Sequence, residues 1–135
     1  MKDKIIITSG RKYIDIDAYA GIFAYKELLH SLGYEVYTKT SAYINESIPK
    51  VVLDMNFEFD DVTIDENTKF IVLDVSNPDF FDTFVKEKNI IEIIDHHIGY
   101  EDYWQKTNIK TEIDFIGSIC TIIFERFLKK VKKSF

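Results

Sequence analysis

The sequence predicts an α/β domain built on a mostly parallel sheet with helices against it. Three observations predict this class. Residues 4–8, 69–75 and 90–95 are apolar runs without alternation, the pattern of strands buried on both faces. Between them lie stretches with helical periodicity, and strands alternating with helices imply parallel pairing. Each apolar run also ends in or leads to polar residues, as strands do where a parallel sheet opens onto a ligand crevice.

Residues 4–8 (KIIIT) form the first strand, and Ser9-Gly10-Arg11-Lys12-Tyr13 breaks it as a loop. Ala18, Ile22, Tyr25, Leu29 and Leu32 recur at spacings of four and three, one face of a helix. Asp17 sits where a carboxylate caps that helix, and Gly33 ends it. Residues 35–39 alternate and read as a strand. Residues 40–47 are a polar loop, and a short helix begins at Pro49 within 48–55. The acidic stretch 56–67 is irregular, with a short strand around 57–59. Residues 69–75 are a strand carrying Asp74 near its end. Ser76-Asn77-Pro78-Asp79 then opens a helix running to about Glu87. Asn89 turns the chain into the strand that ends at Asp95. Residues 99–108 form a loop rich in aromatics, and 110–115 a last strand. Gly117 opens the final helix, with Cys120, Phe124, Phe127 and Val131 on one face.

A chain of 135 residues fits one domain, 1–135, and 46% hydrophobic residues suffice for a core. The net charge is −6 even though Lys129, Lys130, Lys132 and Lys133 crowd the last seven positions. The rest of the surface is therefore strongly acidic, which disfavours long nucleic acid and anionic membrane as partners. Cys120 is the single cysteine, so no intrachain disulfide forms. No stretch approaches the roughly 18–20 apolar residues of a membrane span. A soluble, cytoplasmic protein is expected.

The polar residues at the strand ends carry the chemistry. They are Asp15 and Asp17 after the first strand, Asp74, and Asp95-His96-His97. In a parallel sheet all lie on one rim. Four aspartates gathered there repel one another unless a cation is present. Carboxylate oxygen with imidazole nitrogen suits Mn²⁺, Zn²⁺ or Fe²⁺. Simpler roles exist for single residues: Asp17 as a helix cap, His30 as an ordinary helix residue, and Cys120, Tyr103 and Trp104 as packing. Asn45-Glu46-Ser47 reads as loop and helix entry.

Asp15-Ile16-Asp17-Ala18, Ile71-Val72-Leu73-Asp74, Asp95-His96-His97 and Gly117-Ser118-Ile119-Cys120-Thr121 occur in the order and approximate spacing of a known family. Together they resemble the N-terminal domain of the DHH phosphoesterase superfamily, closest to its manganese-dependent pyrophosphatase and exopolyphosphatase-like branch. The resemblance implies a three-layer, Rossmann-like domain and a hydrolase cleaving a phosphoanhydride or phosphodiester bond with a metal-bridging hydroxide. It implies two ions, Mn²⁺ or else Mg²⁺ or Co²⁺. Asp15 would bind one and Asp17 the other, Asp74 would bridge them, and His96 would bind a metal. His97 would orient or neutralise the phosphate, and Asp95 would hold the histidines. The expected substrate is pyrophosphate, polyphosphate or a short nucleotide; a homodimer stays open.

Two departures accompany the resemblance. Many members carry a histidine where this chain has Arg11, and a proline where it has Ile14. Arginine stays protonated and ligates no metal, but it can hold a phosphate through paired hydrogen bonds. The family's further aspartate and its second, DHH-associated domain have no counterpart in these residues. The competing expectation is therefore a catalytically incomplete domain that binds nucleotide, phosphate or a partner chain without turnover.

Overall fold

A computed structural model describes residues 4–44, 46–114 and 118–134, with side chains as far as Lys130. In chain order its elements are β1 (Ile5–Thr8), β2 (Tyr13–Ile14), α1 (Ile16–Ser31), β3 (Val36–Thr38), β4 (Tyr43–Ile44), α2 (Lys50–Leu53) and β5 (Lys69–Leu73). Two 3₁₀ turns follow, Pro78–Phe80 and Glu87–Asn89, then β6 (Ile90–Asp95), α3 (Glu101–Gln105), β7 (Lys110–Ile113) and α4 (Ile119–Ser134). The main sheet has the order β3-β1-β5-β6-β7, and every neighbouring pair is parallel. β2 and β4 form a small parallel pair of their own.

The chain leaves β1 towards β3 on one side and continues through β5, β6 and β7 on the other. The order therefore reverses between β1 and β5, and the crevice of such a sheet opens beyond their carboxyl ends. Side chains alternate across the sheet. Ile7, Ile71, Leu73 and Ile94 face α1 and α4, where they meet Ala18, Ile22, Ile119 and Ile123. Ile6, Phe70, Val72 and Ile93 face the other way and pack with Phe81 and Trp104. On that second face the cover is the two 3₁₀ turns, α3 and connecting loops.

A register shift in β6 adds one further feature. Phe70 pairs with Ile90 but Ile71 with Glu92, so Ile91 bulges outward. Glu92 is thereby turned onto the helix face and buried. There it accepts hydrogen bonds from the Tyr25 hydroxyl and from Arg126.

Several local expectations are corrected. The helix expected over 76–87 is only the turn Pro78–Phe80. Its backbone is committed elsewhere: Arg11 N donates to Phe80 O, and Asp82 N donates to Ser9 O. The Asp82 carboxylate also takes the Ser41 N–H and hydroxyl. The stretch 57–59 is not a strand; Phe57 and Phe59 pack on Phe23 instead. The loop over 99–108 contains α3, whose Trp104 is buried and donates its indole N–H to Ser76 O. Asp15, not Asp17, caps α1, because the helix begins at Ile16, two residues earlier than a cap at Asp17 implies. The buried face of α4 is Ile119, Ile122 and Ile123, whereas Phe124 is 61% exposed. The expected strand end at Phe115 and the glycine at 117 lie outside the described residues, as does the side chain of Val131.

α1 and α4 approach closely at Gly21. A Cβ added there would lie 2.5 Å from Ile119 Cγ2. Ile119 is fully buried and has nowhere to retreat. Although alanine is the better helix former, Gly21→Ala is expected to lose about 1–3 kcal/mol through overpacking. Urea unfolding measures this, and Ile119→Leu, which lacks the Cγ2 branch, should recover part of the loss. A stabilised Gly21→Ala protein would contradict this account of the contact.

Candidate metal centre

The crevice is built from the ends of three strands. Beyond β1, the loop Ser9–Lys12 is held against the 78–82 segment by the bonds described above. A Cβ on Gly10 would come within 3.2 Å of Phe80 O, so the close approach suits glycine. The pinned loop turns Arg11 and Lys12 towards a cavity of about 560 Å³. Asp15 follows, with Oδ1 accepting from Ala18 N at 2.9 Å as the cap of α1. Asp17 lies in the first helical turn, and its Oδ2 accepts from Ile119 N at 3.3 Å, which ties it to α4.

Asp74 stands immediately after β5 with φ +66. A left-handed backbone on a non-glycine residue costs about 1–2 kcal/mol and persists where the surroundings enforce it. Here Asp74 N donates to Ile94 O at 2.8 Å. The carboxylate is aimed inward, with its side chain only 7% exposed. His96 Nε2 lies 2.8 Å from Asp74 Oδ1 and 3.2 Å from Asp17 Oδ2.

Asp95 ends β6 and is completely buried. Its Oδ1 accepts from His96 N at 2.8 Å and pairs with His97 Nδ1 at 2.7 Å. Its Oδ2 is buried without a hydrogen-bond partner. His97 projects into solvent at the cavity wall. Asp74, Asp95, His96 and His97 each offer a ligand atom within 4.8 Å of the others.

Burial pushes the Asp74 carboxyl up to about 9, reinforced by the neighbouring charges of Asp15, Asp17 and Asp95. The fold therefore favours the protonated acid in the absence of a cation. Stability from this group is complete below the ordinary carboxylate value of 3.8 and is lost as pH rises towards about 9. The metal-free protein should therefore melt at progressively lower temperature between about pH 5 and pH 8. Asp74→Asn, which carries no titrating proton, should flatten that slope. Thermal unfolding in the presence of a chelator measures both, and an equal slope in the two proteins would contradict the assignment. The Cys120 thiol, next to Asp17, is pushed up to about 11, first by burial and then by the charge of Asp17. It stays protonated and is no nucleophile.

All seven residues singled out from the sequence lie at the carboxyl end of the sheet or in the loop beside it. Asp17, Asp74 and His96 touch one another. Asp15 lines the same cavity with one oxygen committed to the helix. Asp95 and His97 form an adjoining pair. Arg11 stands in the wall, exposed, and its guanidinium makes no ion pair among the described residues. The donor set fits a divalent cation: two carboxylates and an imidazole converge, and a buried oxygen of Asp95 has no other partner.

Sequence reasoning missed several wall residues. Ser9 directly follows β1, and Lys12, Ser76 and Asn77 lie in the loops that leave β1 and β5, a position that could have signalled them. Phe80 and Tyr100 reach the cavity through tertiary packing, which leaves no local pattern. The family model described as the DHH family, N-terminal domain, matches residues 4–134. No curated protein matches the chain.

Proposed function

Because the chain belongs to the DHH family, we propose that it is a metal-dependent phosphohydrolase acting on a phosphoanhydride or phosphodiester bond of a small substrate. Pyrophosphate, polyphosphate and short nucleotides are the candidates, with Mn²⁺ the first ion to test, then Mg²⁺ and Co²⁺. One observation carries the reading. Asp17, Asp74 and His96, from three separate strand ends, meet within 3.2 Å at an aspartate held in left-handed backbone.

Asp17, Asp74 and His96 would hold the cation. When bound, a divalent ion polarises a phosphoryl oxygen and makes water a better nucleophile near neutral pH. The remaining work falls to this chain's own groups. Asp95 fixes the His97 ring through Nδ1, as carboxylates do for imidazoles near metals. That leaves Nε2 free to orient or neutralise a substrate phosphate. Arg11 offers paired donors to the same phosphate.

The test is phosphate release from pyrophosphate, polyphosphate, a dinucleotide and an aryl phosphate with added Mn²⁺. Release that a chelator stops is expected from at least one of them. A second reading, a domain that binds phosphate without turnover, is supported by Arg11, which cannot ligate an ion. Phosphate or nucleotide binding with no cleavage of any substrate would select it.

Among the described residues no helix is long and apolar enough to cross a membrane. We propose a cytoplasmic location, with which the single cysteine is consistent, and a homodimer as the assembly to test.

A further inference from the structure

The polar groups of the cavity divide into committed and uncommitted donors. Asp15 Oδ1 is engaged by Ala18 N. Asp95 Oδ1 is engaged twice, by His96 N and His97 Nδ1. Asp74 and His96 instead bond to each other, and Asp17 Oδ2 joins them at His96 while also accepting from Ile119 N at 3.3 Å. Arg11 is different again: its backbone is pinned to Phe80 O, while its side chain is exposed and unpaired among the described residues.

Resting on the phosphohydrolase reading above, we propose that the centre takes a single divalent cation on Asp17, Asp74 and His96, and that Arg11 grips the substrate phosphate in place of a second ion. Three arguments support this. Two carboxylates and an imidazole are a sufficient protein set for one ion with positions left open. Asp95 belongs to the same compact donor group as Asp74 and His96, and its second oxygen is buried with no hydrogen-bond partner, a place for it beside the same ion rather than another. Among the described residues a second ion would have the remaining oxygen of Asp15, a share of Asp74 and at most His97, whose Nδ1 is already paired with Asp95, a poor set for firm binding.

Charge points the same way. The four carboxylates that bear on one another here are Asp15, Asp17, Asp74 and Asp95. One dication with Arg11 and Lys12 brings as much positive charge as two dications would. A guanidinium stays charged at any working pH and would be repelled by a second dication close by. Against a phosphate, its planar fork makes two parallel hydrogen bonds. An unpaired arginine in the cavity wall is therefore placed for an anion.

The experiment titrates metal-free protein with Mn²⁺, followed by elemental analysis and electron paramagnetic resonance. Binding of inorganic phosphate to the Mn²⁺-loaded protein is then measured by calorimetry. One ion per chain with the spectrum of an isolated Mn²⁺ is expected. Arg11→Ala should keep that ion with little change in affinity, yet bind phosphate about tenfold or more weakly. Arg11→Lys should recover part of the loss. Two ions per chain, or the spectrum of an exchange-coupled pair, would overturn the single-ion centre. Unchanged phosphate affinity in Arg11→Ala would overturn the role of the arginine. The two readings fail separately: a chain that binds one ion and holds phosphate through Arg11, but cleaves nothing, loses the hydrolase assignment and keeps this one.

Discussion

Asp74→Ala is expected to abolish metal-dependent turnover and to weaken Mn²⁺ binding by more than the 10–100-fold typical of losing an outer partner. Asp74 is the residue through which the ends of β5 and β6 are joined: its N–H donates to Ile94 O and its carboxylate meets His96. Removing the carboxylate leaves Asp17 and His96 without their shared neighbour. The effect on stability should be different in kind. In the metal-free protein the carboxyl is held protonated in a crowded acidic site, so its loss costs the fold little. Alanine tolerates φ +66 less well than aspartate, so Asp74→Asn is the cleaner comparison. Calorimetric titration with Mn²⁺ and a phosphate-release assay measure the effect. Metal-dependent cleavage that survives in both variants would refute the assignment.

Arg126→Ala is expected to produce the largest loss of stability, about 3–5 kcal/mol if Glu92 is left with an uncompensated buried charge. Arg126 Nη1 donates to Glu92 Oε2 at 3.0 Å and to the Tyr25 hydroxyl at 2.7 Å, while Nη2 donates to Glu112 Oε1 at 2.6 Å. The guanidinium also lies over the Tyr25 ring, 5.4 Å from its centre. One side chain thus joins α4 to α1, β6 and β7. Lys110, 3.1 Å from Glu92, retains part of the compensation from the solvent side and sets the lower end of the range. Burial, with the charge of Glu92, holds the Tyr25 hydroxyl well above its usual range, so it remains a donor at any physiological pH. Urea unfolding of Arg126→Ala, Glu92→Gln and the double variant separates the pairwise coupling from the single losses. Equal stability of Arg126→Ala and the parent chain would show that the network adds nothing.

The contrast between these two networks shows what the sequence makes visible. Asp74 and Asp95 stand out because an acid closing an apolar run is costly without a partner. That signal is local and survives without coordinates. Arg126 and Glu92 carry no such mark. Glu92 is a lone acid within an apolar run whose facing the pattern does not give, and the register shift at Ile91 turns it onto the helices. The apolar runs themselves were a reliable guide to β1, β5 and β6, since strands buried on both faces leave an unbroken pattern.

Elsewhere a local signal was outweighed. Ser76-Asn77-Pro78-Asp79 is a strong helix start, yet the chain spends its backbone donors and acceptors on Ser9 and Arg11 instead. The apolar face of α4 was misplaced because Phe124 and Ile123 fit a helical period equally well, and contact with Gly21 decides between them. The convergence of Asp17 with His96 was legible only as topology: two residues nearly eighty positions apart share a rim if, and only if, the sheet is parallel.

That every ladder of the main sheet is parallel also governs how quickly the molecule assembles. No two neighbouring strands are joined by a tight hairpin, so each pairing waits for a distant crossover to close. Asp17 receives its last backbone donor from Ile119, 102 residues further along. The cation-holding geometry is therefore finished only when the final helix docks. A divalent ion should accordingly act as a late lock: refolding proceeds at nearly the same rate with or without Mn²⁺, and the saturated protein unfolds more slowly.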